Sequence, residues 1–290
     1  MTPMNPTGFA SYHPKRISYI LPTKDRAECM RKILPLILDI VTPKDELIII
    51  DGGSTDGTVE VVRQFKDRID AFVSEPDISQ AHALNKGILL ARGTYIKILN
   101  DDDTFSREGI EKMHEMMELH PEVEIAVGGG MWRVKNVRAQ WNAFYVPSGT
   151  NYGSRPEDVF LWGACGAGFL IRRSVFAKVG VLSSYFFIVD FEFLIRSIAR
   201  GINVKFCRVN SFSATVYDWS VTTRKKHEES VEKITLARQY CSTAFFLGLY
   251  FRKSRLTRKI FLLLRRFSQL CSGNKRNTKA APIVWDGGFS

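Results

Sequence analysis

Short apolar runs in the first hundred residues each stop at a polar turn and give way to a helix-like stretch, and this repetition most constrains the fold. ISYIL at 17–21 ends at Pro22-Thr23, and a helix should begin near Arg26, with Pro35 kinking or dividing it. LIII at 47–50 has the isoleucine content of a strand buried on both faces, and it stops at Asp51-Gly52-Gly53. An amphipathic helix is expected over 58–65, a strand over 70–73 and a helix over 79–91 that Gly93 ends. YIKIL at 95–99 forms the next strand, and Asn100-Asp101-Asp102-Asp103 follows it. Ser106 then opens a helix through about 119. Alternating strands and helices predict an α/β domain with a mainly parallel central sheet and flanking helices.

Ligands of open α/β sheets bind beyond the carboxyl ends of the strands. Pro22-Thr23, Asp51 and the acidic run all fall at such ends, so three polar clusters should meet on one sheet edge. Three successive carboxylates repel one another, and a hard divalent cation with oxygen ligands relieves that repulsion. Such a cation also stabilises a departing diphosphate. The competing reading is a solvated turn, with Asp103 or Ser106 capping the next helix. Asp51-Gly52-Gly53 is likewise readable as a tight turn and Asp56 as a helix cap. Lys86 and Asn85 read as solvated helix residues, and Arg92 as a surface group or a phosphate contact.

The second half is less regular. Strands are expected over 125–134 and 203–209, a loop over 140–155, and helices over 190–199, 224–250 and 256–270. The glycine-rich stretch 163–168 leads into FLIRR, another strand.

The chain has 290 residues and a net charge of +11, and ten Lys or Arg with no acid lie between Arg252 and Lys279. The remainder is close to neutral, which argues against a nucleic-acid surface. Five scattered cysteines without a CxxC argue against a disulfide scaffold or zinc site and for a reducing cytoplasm. The five histidines form no cluster, no GxGxxG follows the first strand, and no apolar run reaches the length of a membrane span. The basic segment places Leu256, Ile260, Leu263 and Leu264 at helical spacing opposite Arg255, Arg258, Lys259 and Arg265. That pattern suits an anionic membrane surface, and the competing reading is an ordinary helix packed on the domain with a solvated basic face; the expected place is the cytoplasm, with peripheral association at the inner face of the cytoplasmic membrane. The expected organisation is a loose leader 1–16, a main domain 17–222, a basic helical extension 223–272 and a tail 273–290.

Four stretches, in order and at matching spacing, resemble a family 2 glycosyltransferase of the GT-A fold and bacterial surface-polysaccharide type. They are ISYILPTKDR, IIIDGGSTDGT, EPDISQAHALNKGILLARGTYIKILNDDD, and FLIRRSVFAKVG followed by VDFEFLIRSIARG. The resemblance implies an inverting, metal-dependent transferase that moves a sugar from a nucleotide-diphospho-sugar to a hydroxyl of a glycan or lipid-linked acceptor in polysaccharide, O-antigen or capsule biosynthesis. It implies donor binding by Pro22, Thr23, Asp51 and Asp101, and Mn2+ or Mg2+ at Asp102 and Asp103. It implies Asp190 as the catalytic base, with Glu192 and Arg196 in support. The sequence departs from the family pattern at Gly52, where relatives carry a second acid, at Asn100, and at 163–168, which lacks a His-Gln. No QxxRW-like motif follows, so a processive synthase is not expected. A sugar-nucleotide-binding protein without catalysis is the alternative.

Overall fold

A computed structural model describes residues 15–134, 142–144, 151–216 and 226–251. The strands are β1 (Ile17–Thr23), β2 (Glu46–Asp51), β3 (Ala71–Ser74), β4 (Tyr95–Ile98), β5 (Thr104–Phe105), β6 (Ile125–Val134), β7 (Asn142–Phe144), β8 (Phe169–Arg172) and β9 (Val204–Val216). The helices are α1 (Ala27–Ile40), α2 (Thr58–Arg63), α3 (Gln80–Leu90), α4 (Arg107–Leu119), α5 (Pro156–Trp162), α6 (Ser174–Val179) and α7 (Val189–Ala199). After β9 come α8 (Lys226–Tyr240) and α9 (Thr243–Phe251). The strands form one sheet in the order β3-β2-β1-β4-β8-β6-β9-β5, with β7 added on β6. The first four of that order pair in parallel. Beyond β4 the sheet is mixed: β8 is antiparallel to β4 and β6, while β6 and β9 are parallel.

Side chains alternate across a strand, and here each face has its own core. Ile20, Ile48, Ile50, Ile96 and Ile98 pack against α3 and α7. Tyr19, Leu21, Leu47, Ile49, Tyr95 and Leu99 pack against α1 and α4. All six residues of β2 are buried: the apolar run 47–50 requires this of four, and Glu46 and Asp51 are buried with partners in Arg92 and Ser54.

β1 continues through Pro22 and Thr23 rather than stopping at Leu21. The carbonyl of Ile20 accepts from Leu99 on the β4 side, and alternate residues point the same way, so Pro22 faces that side. The β4 ladder has ended there, at the Ile20–Ile98 pair, so the missing N–H of Pro22 leaves no ladder bond unmade.

Several local expectations are corrected. Pro35 does not divide α1, which runs unbroken over fourteen residues. Both Pro35 and Arg31 lie on the exposed face, so the carbonyl that Pro35 cannot serve meets water. Arg16, expected in the leader, belongs to the sheet: its guanidinium holds both carboxylate oxygens of Asp45 at 2.9 Å and also binds Glu111. The single helix expected over 224–250 is two helices. The chain breaks at Cys241-Ser242, where the Ser242 N–H donates to Glu157 at 2.9 Å and the Phe245 ring meets Phe160. The strand expected over 203–209 extends to Val216, and β7 lies within the expected loop 140–155. Residues 256–270 lie outside the described residues.

Candidate active site

The carboxyl ends of β1, β2 and β4 bring the three polar clusters together. The Thr23 hydroxyl at the end of β1 donates to Asp101 Oδ2 after β4, at 2.8 Å. Arg26, beside the start of α1, approaches the other Asp101 oxygen at 3.8 Å. The loop after β1 and the turn after β2 are laced together. The Asp25 N–H donates to Ser54 Oγ at 2.7 Å, and the Thr55 N–H donates to Asp25 Oδ1 at 2.8 Å. Asp25 has a positive φ of 51°, as its place in this tight exchange requires. Asp56 does more than cap its own helix: it accepts from Ala27 N at 2.9 Å and from Thr58 N at 3.0 Å, closing the starts of α1 and α2.

Asp51 is fully buried, and its carboxylate serves the turn. It accepts from Ser54 N at 3.0 Å and Ser74 Oγ at 2.7 Å, and also from the Ser54 hydroxyl. Gly53 follows with φ +76°, and a Cβ there would press on Pro76 at 3.2 Å. The turn therefore seats itself against the segment after β3. That segment carries a cluster not apparent from the sequence. Lys86 pairs with Glu75 at 2.7 Å and Asp77 at 2.9 Å, and His82 Nδ1 lies 2.7 Å from Asp77. Lys86, read as solvated, is mostly buried in this cluster. Asn85, also read as solvated, donates to Leu182 O and accepts from Leu182 N, both at 2.9 Å. Both corrections have one cause: α3 lies under the sheet edge, so its polar face meets neighbouring loops. Arg92 sits at the opposite end of the sheet, paired with Glu46 at 2.8 Å, so it does not serve a phosphate at the carboxyl edge.

The three carboxyls of the acidic run differ. Asp101 is held by Thr23, and Asp103, 5% exposed, accepts from the Asn100 amide at 2.6 Å. Asp102 is part-exposed and takes no hydrogen bond from another side chain among the described residues. Burial pushes Asp101 up to about 6 and Asp103 to about 7, with the neighbouring carboxylates adding to the effect, and burial also raises Asp102. Behind them Lys97, buried in β4, donates to the Ala167 carbonyl, and burial draws its ammonium down to about 7. A lysine inside YIKIL was the signal for it, since every neighbour in that strand is apolar. Among the described residues no three His, Cys, Asp or Glu side chains form a metal cage. A desolvated carboxyl trio with Asp102 uncommitted instead matches a cation held by one or two carboxylates and completed by substrate phosphates.

Asp190 stands across a cavity of about 410 Å3 that Asn100, Gln80, Cys165, Gly166 and Lys233 also line. Asp190 is the second residue of α7. Its Oδ2 accepts from Gly166 N and its Oδ1 from Phe191 N, both at 2.8 Å. Burial raises its pKa against these bonds. Gly166 comes so near that a Cβ would lie 3.1 Å from that of Asp190, which explains a small residue here. Glu192 and Arg196 are bound to each other, at 2.6 and 3.0 Å, and Arg196 also donates to the Val179 and Val181 carbonyls. They tie α7 to the loop after α6, and neither hydrogen-bonds Asp190.

A parallel half-sheet with an acidic turn at its carboxyl edge, joined to a mixed half that carries a second carboxyl across a cavity, is the architecture of GT-A glycosyltransferases. The glycosyl transferase family 2 model matches residues 18–180, more than half of the chain, and the chain belongs to that family. A putative teichuronic acid biosynthesis glycosyltransferase, TuaG, of Bacillus subtilis is 32% identical over 104 residues, 35% of this chain and 41% of that protein. A poly-beta-1,6-N-acetyl-D-glucosamine synthase of Staphylococcus epidermidis is 31% identical over 41% of this chain and 30% of its own length. A PGL/p-HBAD biosynthesis glycosyltransferase of Mycobacterium tuberculosis is 25% identical over 69% of this chain and 80% of that protein. The chain thus spans under half the length of the first two. Among solved structures, S. aureus TarS 1–349 in complex with UDP-GlcNAc aligns over 83% of this chain and 74% of its own, with TM-score 0.61 and 14% identity. Mannosyltransferase PcManGT from Pyrobaculum calidifontis, in complex with GDP-Man and Mn2+, aligns over 79% and 64%, with TM-score 0.57 and 17% identity. At such identities these structures speak for the fold.

Proposed function

We propose that the chain is an inverting glycosyltransferase that uses a nucleotide-diphospho-sugar donor and a divalent metal. The observation that carries this reading is the shared cavity: Asn100, at the head of the acidic run, and Asp190 line it together. Thr23, Pro22 and the Asp51 turn form the donor edge, with Asp51 shaping the turn and Asp101 fixed by Thr23. Mn2+ or Mg2+ would be held by Asp102, with Asp103 beside it. When bound, it would supply charge stabilisation to the departing diphosphate. Asp190 would take the proton of the acceptor hydroxyl as that oxygen bonds to the anomeric carbon. The bond from that carbon to the diphosphate breaks, and its electron pair leaves with the nucleotide, so configuration inverts.

TarS and PcManGT were solved with UDP-GlcNAc and with GDP-Man, which supports a nucleotide-sugar donor here without selecting the base. Two relatives are named for teichuronic acid biosynthesis and for poly-beta-1,6-N-acetyl-D-glucosamine synthesis, which supports a glycan acceptor, lipid-linked or free, and a role in bacterial polysaccharide biosynthesis. No helix among the described residues is long and apolar enough to cross a membrane. The basic run after Arg252 would bring the enzyme to the anionic inner face of the cytoplasmic membrane.

A thermal-shift screen of UDP, GDP, dTDP and their sugars, with and without Mn2+, tests the donor assignment, because a ligand that binds only the folded state raises its midpoint. A metal-dependent rise with one nucleotide family is expected. No rise with any of them would remove the donor assignment, and binding without turnover on any acceptor extract would favour the non-catalytic alternative. Equal pelleting with anionic vesicles of the full chain and one ending at 251 would remove the membrane role.

A further inference from the structure

The peptides that lead into α7 are held from a distant part of the chain. Glu232, on α8, accepts from Phe187 N on both carboxylate oxygens, Oε1 at 2.8 Å and Oε2 at 2.9 Å, and its Oε2 also accepts from Ile188 N at 3.0 Å. Ile188 is the residue just before α7, and no side chain of its own caps that helix. Asp190 follows two residues later. α8 is firmly seated: Leu236 and Ala237 are fully buried, and Lys233 stacks on the Phe191 ring at 5.0 Å while pairing with Glu229 at 2.6 Å. A carboxylate that gathers two backbone N–H groups fixes both peptide planes, and charge-assisted bonds of this kind are the strong ones. The carboxyl of Asp190 is thus located by Gly166 from one side and by the Glu232 anchor at the root of its helix.

We propose that Glu232 is a positioning residue for Asp190, so that α8, which lies beyond the segment matched by the family model, completes the acceptor side of the active site. This rests on the reading of Asp190 as the base. Misplacing a reacting group by about 1 Å costs up to roughly 10²-fold in rate. Because Glu232 touches neither the acidic run nor the donor edge, its loss should act on turnover and not on donor binding.

The test uses the full chain and whichever of UDP-N-acetylglucosamine or GDP-mannose the wild type turns over, following release of the nucleoside diphosphate. Glu232→Ala should lower kcat about 10- to 100-fold with donor KM unchanged, and Glu232→Gln, which keeps one acceptor oxygen, should fall less. The acid limb of the pH profile should move as well. The charged and titratable groups facing Asp190 are Lys233 and Glu229 on α8, Cys165 in the glycine-rich turn and Tyr152 before α5, and the substitution leaves all four in place. In an Asp190→Asn background the Glu232→Ala change should cost nothing further. An equal loss in both backgrounds, or an unchanged kcat and acid limb, overturns the positioning role. Wild-type turnover in Asp190→Asn alone overturns the base assignment instead, so the two failures are distinct. If Glu232→Ala does not fold, the Glu232→Gln pair of backgrounds is read by the same criteria.

Discussion

The two halves of the sheet build their parts of the site in different ways. In the parallel half, residues two or three apart hold one another within each turn, Asp51 with Ser54, Asp56 with Thr58, and Asn100 with Asp103, and longer bonds such as Thr23 to Asp101 join the turns. In the mixed half, Asp190 is held by Gly166 N, twenty-four residues away in sequence, as well as by the adjacent Phe191 N, and its helix is anchored from α8. Turn chemistry builds each turn of the parallel half's carboxyl edge locally, and a few longer bonds then join the turns. The Asp190 side, which we propose faces the acceptor, is an assembly of segments that meet only after folding.

Substitutions can break or sharpen that contrast, and the largest effect should fall on the acceptor side. Asp190→Asn should lower kcat by about 10²–10⁴-fold, the contribution of a positioned base, and leave nucleotide affinity in calorimetry unchanged. A parallel loss of nucleotide affinity would mean the halves are not separable. On the donor side Asp102→Ala should weaken metal-dependent nucleotide-diphosphate binding and turnover together, by about 10²–10³-fold. If Mn2+ dependence survives in that variant, the metal is held elsewhere.

The scaffold under the parallel half is tested at its other end. Asp45 carries a fully buried carboxylate against Arg16, and Asp45→Ala should cost about 3 kcal/mol, the low end for a broken buried pair because Glu111 still serves the guanidinium. Burial alone would raise the Asp45 carboxyl, but its bonds to Arg16 and Thr42 outweigh this and hold it below the ordinary carboxylate range. A depressed folded value means stability present above the unfolded pKa and lost as pH falls through the folded one. Denaturant midpoints at successive pH values should therefore fall less steeply on acidification in Asp45→Asn than in wild type, and identical slopes would sink the linkage. Thr23→Val should lower turnover about tenfold by releasing the Asp101 carboxyl, a neutral-donor bond to a charged group being worth about 1.5–3 kcal/mol in the limit.

The smallest effect is a displacement in pH. The Asp190 carboxyl is raised by burial, and a base must be ionised, so kcat/KM should fall on acidification at a pH above the ordinary carboxylate range. Asp101 and Asp103 are raised too, so the diagnostic result is that this limb disappears in Asp190→Asn. A limb retained in that variant belongs to the acidic run.

The parallel half was largely legible. Continuous apolar runs mark strands buried on both faces, and turn residues mark where those strands stop. Asp101 and Thr23 could be expected on one edge because the carboxyl-end rule puts them there. Lys86 and Asn85 were misread because nothing local says what packs on α3. The break at Cys241-Ser242 escaped for the same reason: helical pattern continues through it, and only Glu157 and Phe160 on α5 redirect the chain. Asp51 is polar at the right place, yet that its oxygens serve Ser54 and Ser74 is a matter of where β3 ends.

By itself the sequence determined the α/β class, the strands from 17 to 98, and the place of the acidic turn at the carboxyl end of β4, since these follow from apolar runs and turn chemistry over a few residues. Tertiary structure alone decided that Thr23 holds Asp101, which cavity Asp190 faces, and that α8 anchors its helix. Those depend on partners tens of residues away, and local pattern carries no information about a contact whose other half lies on a different element.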